Sequence, residues 1–246
     1  MKDDIKKCTN CQHPLLTNAQ FCATCGQSAR SLHRPLKPVI YDTLHESLDI
    51  DGRLMLTIKT LLFKPGQLSL DYNLGKRVKY TPPLRMYIVI SILFFLILSQ
   101  FDLTQLSSNS YSGQTESQLG AVYALLPKLM FILLPLFALI LKILYRETFY
   151  ISNLIFAIHF HCFAYIILVI MLPLESIEKA HPIFVVMQIP LFCYLVYYLV
   201  KSIKLNYQQN WLKTIGKSML LTVSYMSLVM ISIESIESGF FNRLFG

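Results

Sequence analysis

Five apolar blocks set the strongest constraint on how this chain folds. They lie near 84–101, 123–145, 154–173, 183–200 and 215–233. A helix needs roughly 17–25 predominantly apolar residues to cross a bilayer core. Inside hydrocarbon the backbone must satisfy its own N–H and C=O groups, so blocks of this length are expected to be helices. The sequence therefore predicts an all-α integral membrane bundle of about five transmembrane helices over 84–246. A small N-terminal module (1–30) and a linker with interfacial amphipathic helices (31–83) precede it. Composition agrees, with 54% hydrophobic and 15% charged residues, against about 25% charged in an ordinary soluble domain. A disordered chain is excluded. With only 9 Gly and no internal period, so is a collagen-like or repeat array.

The opening MKDDIKKCTN is charged and lacks an apolar h-region. No cleavable signal peptide is expected, and the block at 84–101 is read as the first inserted segment. Lys and Arg number 13 up to and including Arg85, then 0, 2, 1 and 4 in successive gaps and 1 in the C-terminal tail. By the positive-inside bias this alternation puts the N-terminus in the cytoplasm and the C-terminus on the periplasmic or extracellular side. It also accounts for the net charge of +8 through anionic lipid headgroups, with membrane lipids as the expected partners.

Cys8, Cys11, Cys22 and Cys25 form the pattern C-x2-C-x10-C-x2-C. Two residues between thiols allow a tight turn to aim both at one metal, and ten residues allow a short hairpin to bring the two turns together. Four thiolates close a tetrahedral shell, the arrangement of structural Zn2+. Gly26 suits the left-handed position after the second turn. Two disulfides, or a redox C-x-x-C pair, are the competing readings; a cytoplasmic location favours metal. A module of about 20 residues has too little apolar content to fold without its metal. No Lys or Arg lies between Cys8 and Cys25, so nucleic acid is not an expected partner. Docking to a cytoplasmic protein is.

Beyond the Pro35 and Pro38 linker, a short helix is expected at 39–48. A second, Arg53–Phe63, would open from the Asp51-Gly52 pair; it is too apolar for a free surface helix and too short to span, so it is read as interfacial. A third would start near Pro65 and be capped by Gly75. Lys76, Arg77, Lys79 and Arg85 then surround Tyr80 and Pro82-Pro83 just before the first block. Such a cluster anchors to, or recognises, lipid headgroups, with Tyr80 and Tyr87 at the interface.

These residues carry a resemblance. The CxxC…CxxCGQ pattern, followed by Lys64, Pro65, Gly66, Tyr72, Gly75, Lys76, Arg77, Tyr80, Pro83, Arg85 and Tyr87, resembles uncharacterised bacterial inner-membrane proteins with a "KPG…Y…GKRxxYxxPxRxY" segment before a span. Phe156, His159, Phe160 and His161 resemble the F-x-x-H-F-H run of the same family, with Ser152-Asn153 standing where that family shows an acidic–His pair. The resemblance covers most of the first 165 residues. It implies a domain of unknown function in a multi-span protein of the bacterial inner membrane, and no activity.

Within the blocks, His159, His161 and Gln188 are the polar groups that invite a functional reading. Two residues apart on a helix, the histidines point about 200° from one another and cannot jointly chelate one metal; the competing reading is hydrogen bonding across helices or to carbonyls. No P-loop, G-x-S-x-G, H-E-x-x-H or EF-hand motif occurs, and no catalytic residue is assigned. The expectation is a non-enzymatic membrane protein whose cytoplasmic ribbon serves interaction or assembly. The alternative is a small-solute transporter or channel subunit, functioning as an oligomer, with a polar seam from the third to fifth spans. An enzyme acting on lipid headgroups lacks an evident base or nucleophile.

Overall fold

The computed structural model describes residues 7–16, 19–29, 53–100, 114–178 and 183–237. The helix expected at 39–48, the Asp51-Gly52 cap, the C-terminal tail and the side chain of Lys128 lie outside what is described. Seven helices are present among the described residues: α1 (Arg53–Phe63), α2 (Gln67–Asn73), α3 (Pro83–Leu98), α4 (Gln114–Leu144), α5 (Tyr150–Glu178), α6 (Ile183–Tyr207) and α7 (Trp211–Glu237). The described residues form no strand, only isolated antiparallel bridges pairing Lys7 with Pro14 and Phe21 with Ser28.

Three helices are long and apolar enough to cross a membrane, over Tyr150–Pro173, Val186–Tyr207 and Trp211–Ser235. Shorter apolar stretches occupy Pro83–Leu98 and Leu129–Leu144. At 1.5 Å per residue, the 16-residue α3 is about 24 Å long, below the roughly 30 Å of a typical hydrocarbon core. Pro83 at the first helical position sets its start, where a missing N–H costs nothing.

Helix α5 is the centre of the bundle. It packs on α3, α4 and α6, and from the peripheral layer on α1 and α2; α7 closes against α4 and α6. Burial reflects this: 56% of the apolar window of α5 is buried, against 22% for α6 and for α7. Rings fill the core, with Phe163 stacked on Tyr198 at 3.5 Å, Phe94 on Tyr165 at 4.9 Å and Phe137 on Phe160 at 5.6 Å. The outward sides of α6 and α7 stay apolar, including Phe192, Val196, Met219, Val223 and Met230, which suits contact with lipid rather than water.

The short helices lie across one end of this bundle. Gly66 begins α2 in the left-handed region (φ 76°), and a Cβ there would stand 2.8 Å from both Ser202 Cα and Asn206 Nδ2. Glycine is therefore required where the α1–α2 turn meets α6, and Asn206 Nδ2 donates to the Gly66 carbonyl at 3.0 Å. Gly75 (φ 89°) ends α2. The Gly75 N–H reaches the Tyr72 carbonyl and the Lys76 N–H reaches the Asp71 carbonyl, the paired bonds of a Schellman cap.

Candidate metal centre and its docking loop

The two cysteine turns repeat one geometry. In the first, the Cys8 N–H donates to the His13 carbonyl and the Gln12 N–H to the Cys8 carbonyl. In the second, the Cys22 N–H donates to the Gln27 carbonyl and the Gly26 N–H to the Cys22 carbonyl. The residue after each second cysteine is left-handed: Gln12 at φ 63° and Gly26 at φ 71°. The sulfurs converge. Cys8 and Cys25 are 3.6 Å apart, as are Cys11 and Cys22, and all four sulfurs lie within 4.8 Å of one another. A tetrahedron with metal–sulfur bonds of about 2.3 Å has edges of about 3.8 Å, whereas a disulfide needs roughly 2.05 Å. The geometry thus fits one tetrahedral metal ion and not two disulfides.

The thiols perturb one another. Cys22 is held down to about 6, chiefly by the Cys25 backbone N–H. Cys11 is pushed up to about 12: the His13 backbone amide pulls it down, but burial and the three neighbouring thiols outweigh that. Four adjacent thiols cannot all lose their protons without a cation among them, and a bound metal supplies that positive charge.

The cysteine module does not stand free of the bundle. Gln27, buried at 4% exposure, reaches from the second turn into the loop after α2. Its Nε2 donates to the Gly75 carbonyl at 2.5 Å and to Thr9 Oγ1 at 2.8 Å. Its Oε1 accepts from the N–H groups of Arg77 at 3.0 Å and Val78 at 3.4 Å. Thr9, from the first turn, also donates to the Gly75 carbonyl, at 3.0 Å. Reversing the amide would set donors against N–H groups and an acceptor against a carbonyl, so the network fixes its orientation. A Cβ on Gly75 would lie 2.6 Å from Thr9 Oγ1. Both turns therefore grip one loop.

That loop is held from its other sides as well. Arg53 of α1 donates to the Val78 carbonyl, and Thr57 Oγ1 accepts from the Thr81 N–H at 3.0 Å. Buried Asp71 accepts from Tyr80 OH at 2.8 Å, Gln67 Nε2 at 2.9 Å and Lys76 Nζ at 3.3 Å, with Lys79 Nζ at 3.8 Å. Burial acts to raise its carboxyl, but the hydrogen bonds from Tyr80, Lys76 and Gln67 prevail and hold it below the usual carboxylate range.

The basic cluster is accordingly divided in its duties. Lys76 and Lys79 are roughly half exposed yet paired with Asp71. Lys79 also lies over the Tyr80 ring at 5.0 Å, and Arg77 over the Tyr72 ring at 5.9 Å. Arg85 is half-buried at the start of α3. Tyr80 and Tyr87, expected at the lipid interface, are interior instead, at 4% and 1% exposure. Tyr80 spends its hydroxyl on Asp71, and the Tyr87 hydroxyl lies 3.4 Å from that of Tyr165.

The intramembrane histidines have separate partners. His159 Nδ1 is 2.9 Å from Ser69 Oγ of α2. His161 Nδ1 is 2.8 Å from the Ala157 carbonyl and its Nε2 is 2.8 Å from Tyr225 OH of α7. A carbonyl only accepts, so Nδ1 of His161 carries the hydrogen and its Nε2 accepts from Tyr225. His159 thus ties α5 to the peripheral layer, and His161 ties it to α7. Gln188 sits half-buried on α6. The sequence shows Gln27 only as the last residue of the CxxCGQ pattern, with no role, and does not single out Thr9, Asp71 or Ser69. An acid in LSLDY, followed by lysines five and eight residues on, was the one available signal for Asp71.

Residues 51–95 match the model of a family described as "Protein of unknown function (DUF3667)". The match spans α1, α2, the docking loop and most of α3, and leaves the four cysteines outside it. No curated protein and no solved structure matches the chain.

Proposed function

We propose that the protein is a non-enzymatic, five-span membrane protein whose N-terminal ribbon, folded by Zn2+, forms a cytoplasmic platform for protein interaction or assembly. Cys8, Cys11, Cys22 and Cys25 would hold the ion, whose contribution is structural: its two positive charges offset half the charge of four thiolates, and it fixes the two turns. An all-thiolate tetrahedral set favours zinc among common divalent ions. The Lys/Arg alternation supports a cytoplasmic N-terminus in the bacterial inner membrane, and the apolar stretches of α3 and α4 supply the first two spans of the five.

The observation that carries this reading is the Gln27 bridge to Gly75 and Arg77. A tethered ribbon on a flexible leader needs no such bridge. A ribbon fixed to the last loop before the bundle presents a defined surface at the membrane. The test is in-membrane crosslinking, comparing the native chain with a Cys22→Ser, Cys25→Ser variant. Crosslinks from ribbon residues to a soluble protein, present only in the native form, support the platform. Identical membrane-only crosslinks from both forms overturn it.

A further inference from the structure

At the end of the bundle that carries the ribbon, the α4–α5 and α6–α7 turns border an open cleft of about 500 Å³. That size is within the usual range for small-molecule sites, about 300–1,000 Å³. Its lining includes Tyr145, Arg146, Glu147, Tyr207, Gln209 and Lys217. Tyr145 and Tyr207 stack at 3.7 Å and form an aromatic wall. Lys217 Nζ is fixed 4.3 Å over the Tyr145 ring and donates to the Leu144 carbonyl at 2.8 Å, leaving an ammonium with further donors held at the wall. The Arg146 side chain is exposed.

Two more lysines shape the turns. Lys142 Nζ donates to the carbonyls of Arg146 and Thr148, each at 2.7 Å, and Lys204 Nζ donates to the Gln209 carbonyl. Glu147 is the single acid in the lining. The site is therefore positive overall.

We propose that this cleft binds a phosphate-bearing anion, with Lys217 and Arg146 supplying charge and the Tyr145–Tyr207 stack forming its wall. Arg and Lys together suit phosphate oxygens, Arg by its planar fork and Lys as a point charge. The cleft adjoins the first residues of α5 and α7, where their apolar spans begin at Tyr150 and Trp211. At that depth the phosphate belongs either to a lipid headgroup or to a soluble phosphorylated compound. This inference is independent of the ribbon, since none of its residues touches the cysteine turns.

The test uses the full-length protein in neutral detergent. Native mass spectrometry reads retention of phosphatidylglycerol, and calorimetry reads binding of glycerol 3-phosphate. The expected result is saturable binding of one molecule per chain of at least one probe. Binding of the lipid alone assigns the headgroup source, and binding of glycerol 3-phosphate alone assigns the soluble source. Lys217→Gln should weaken binding at least tenfold, with Lys217→Arg restoring most of it, and Arg146→Gln should weaken it at least fivefold. Arg146 is exposed, so that variant keeps the test decisive if Lys217→Gln fails to fold. Failure of both probes to saturate, or affinity unchanged in folded Arg146→Gln, overturns the proposal.

Discussion

The side-chain amide of Gln27 closes on the carbonyl of Gly75 at 2.5 Å, 48 residues along the chain. The same side chain accepts from the next loop N–H groups, so a cysteine turn and the loop before α3 share one hydrogen-bond network. Removing the side chain takes its acceptor from the Val78 N–H, whereas the Gly75 carbonyl keeps Thr9 Oγ1 and the Arg77 N–H keeps the Gly75 carbonyl. At about 1–3 kcal/mol per unmet buried group, offset by water where it can enter, Gln27→Ala should cost about 1–2 kcal/mol of docking. Gln27→Glu should cost at least as much, because it places an acceptor against the Gly75 carbonyl. Limited trypsin digestion of the folded protein checks this: cleavage after Lys76, Arg77 and Lys79 should accelerate in both variants.

Gly75→Ala should undock the ribbon without removing any hydrogen-bonding side chain. The added Cβ meets Thr9 Oγ1 at 2.6 Å and the residue sits at φ 89°. The left-handed conformation alone costs about 1–2 kcal/mol for a residue with a Cβ. Thr9→Gly in the same chain should relieve the steric part while losing the two Thr9 hydrogen bonds. Thermal unfolding of the two variants and their combination reads the difference.

Gln12 occupies a left-handed position that Gly26 occupies in the sister turn. Gln12→Gly relieves that strain at some cost in unfolded-chain entropy, for a net gain of about 0.5–1 kcal/mol. Competition with a chromogenic chelator should show metal held about two- to fivefold more tightly.

Asp71 makes the loop acid-sensitive. Its folded carboxyl is depressed below the unfolded value of 3.8, so its contribution is fully present above about pH 4. That contribution is lost as pH falls through the lower folded value. Asp71→Asn should abolish this acid limb and release Lys76 and Lys79 at neutral pH. Protease susceptibility of the loop, measured against pH in the native protein and the variant, checks both.

Tyr225→Phe removes the donor to His161 Nε2 and leaves a buried acceptor between α5 and α7. Interhelical hydrogen bonds in membranes average about 0.6 kcal/mol, with larger values up to about 2. A loss in that range, read by thermal unfolding in detergent, is expected for Tyr225→Phe.

Much of the architecture was legible because its signals are local. The paired C-x2-C spacing brought four sulfurs together, the apolar 53–63 run gave α1, and Gly75 gave the end of α2. The three spans over α5, α6 and α7 follow from length and hydropathy. The predicted blocks undershot the helices, since α4 begins at Gln114 rather than near 123 and helix formers such as Gln and Glu carry it about two and a half turns beyond the apolar stretch. What the sequence hid were long-range pairings. Gln27 and Gly75 each stand in a recognisable motif, yet nothing local shows that one motif binds the other. That two lysines of the basic cluster also pair with Asp71 was hidden, because Asp71 lies on the preceding helix. Tyr80 and Tyr87 turned inward for the same reason: their hydroxyls have protein partners that only the fold supplies.

The central claim is that metal in the cysteine turns holds the loop through Gln27. Hydrogen exchange of the full-length protein in nanodiscs, with bound zinc and after chelation, tests it most directly at the Arg77 and Val78 amides. Protection of the Val78 amide should fall at least tenfold on chelation and equally in zinc-loaded Gln27→Ala, with a smaller fall at Arg77, whose N–H also reaches the Gly75 carbonyl, while amides within α5 stay unchanged. Unaltered protection at Arg77 and Val78 in the chelated protein would contradict the account.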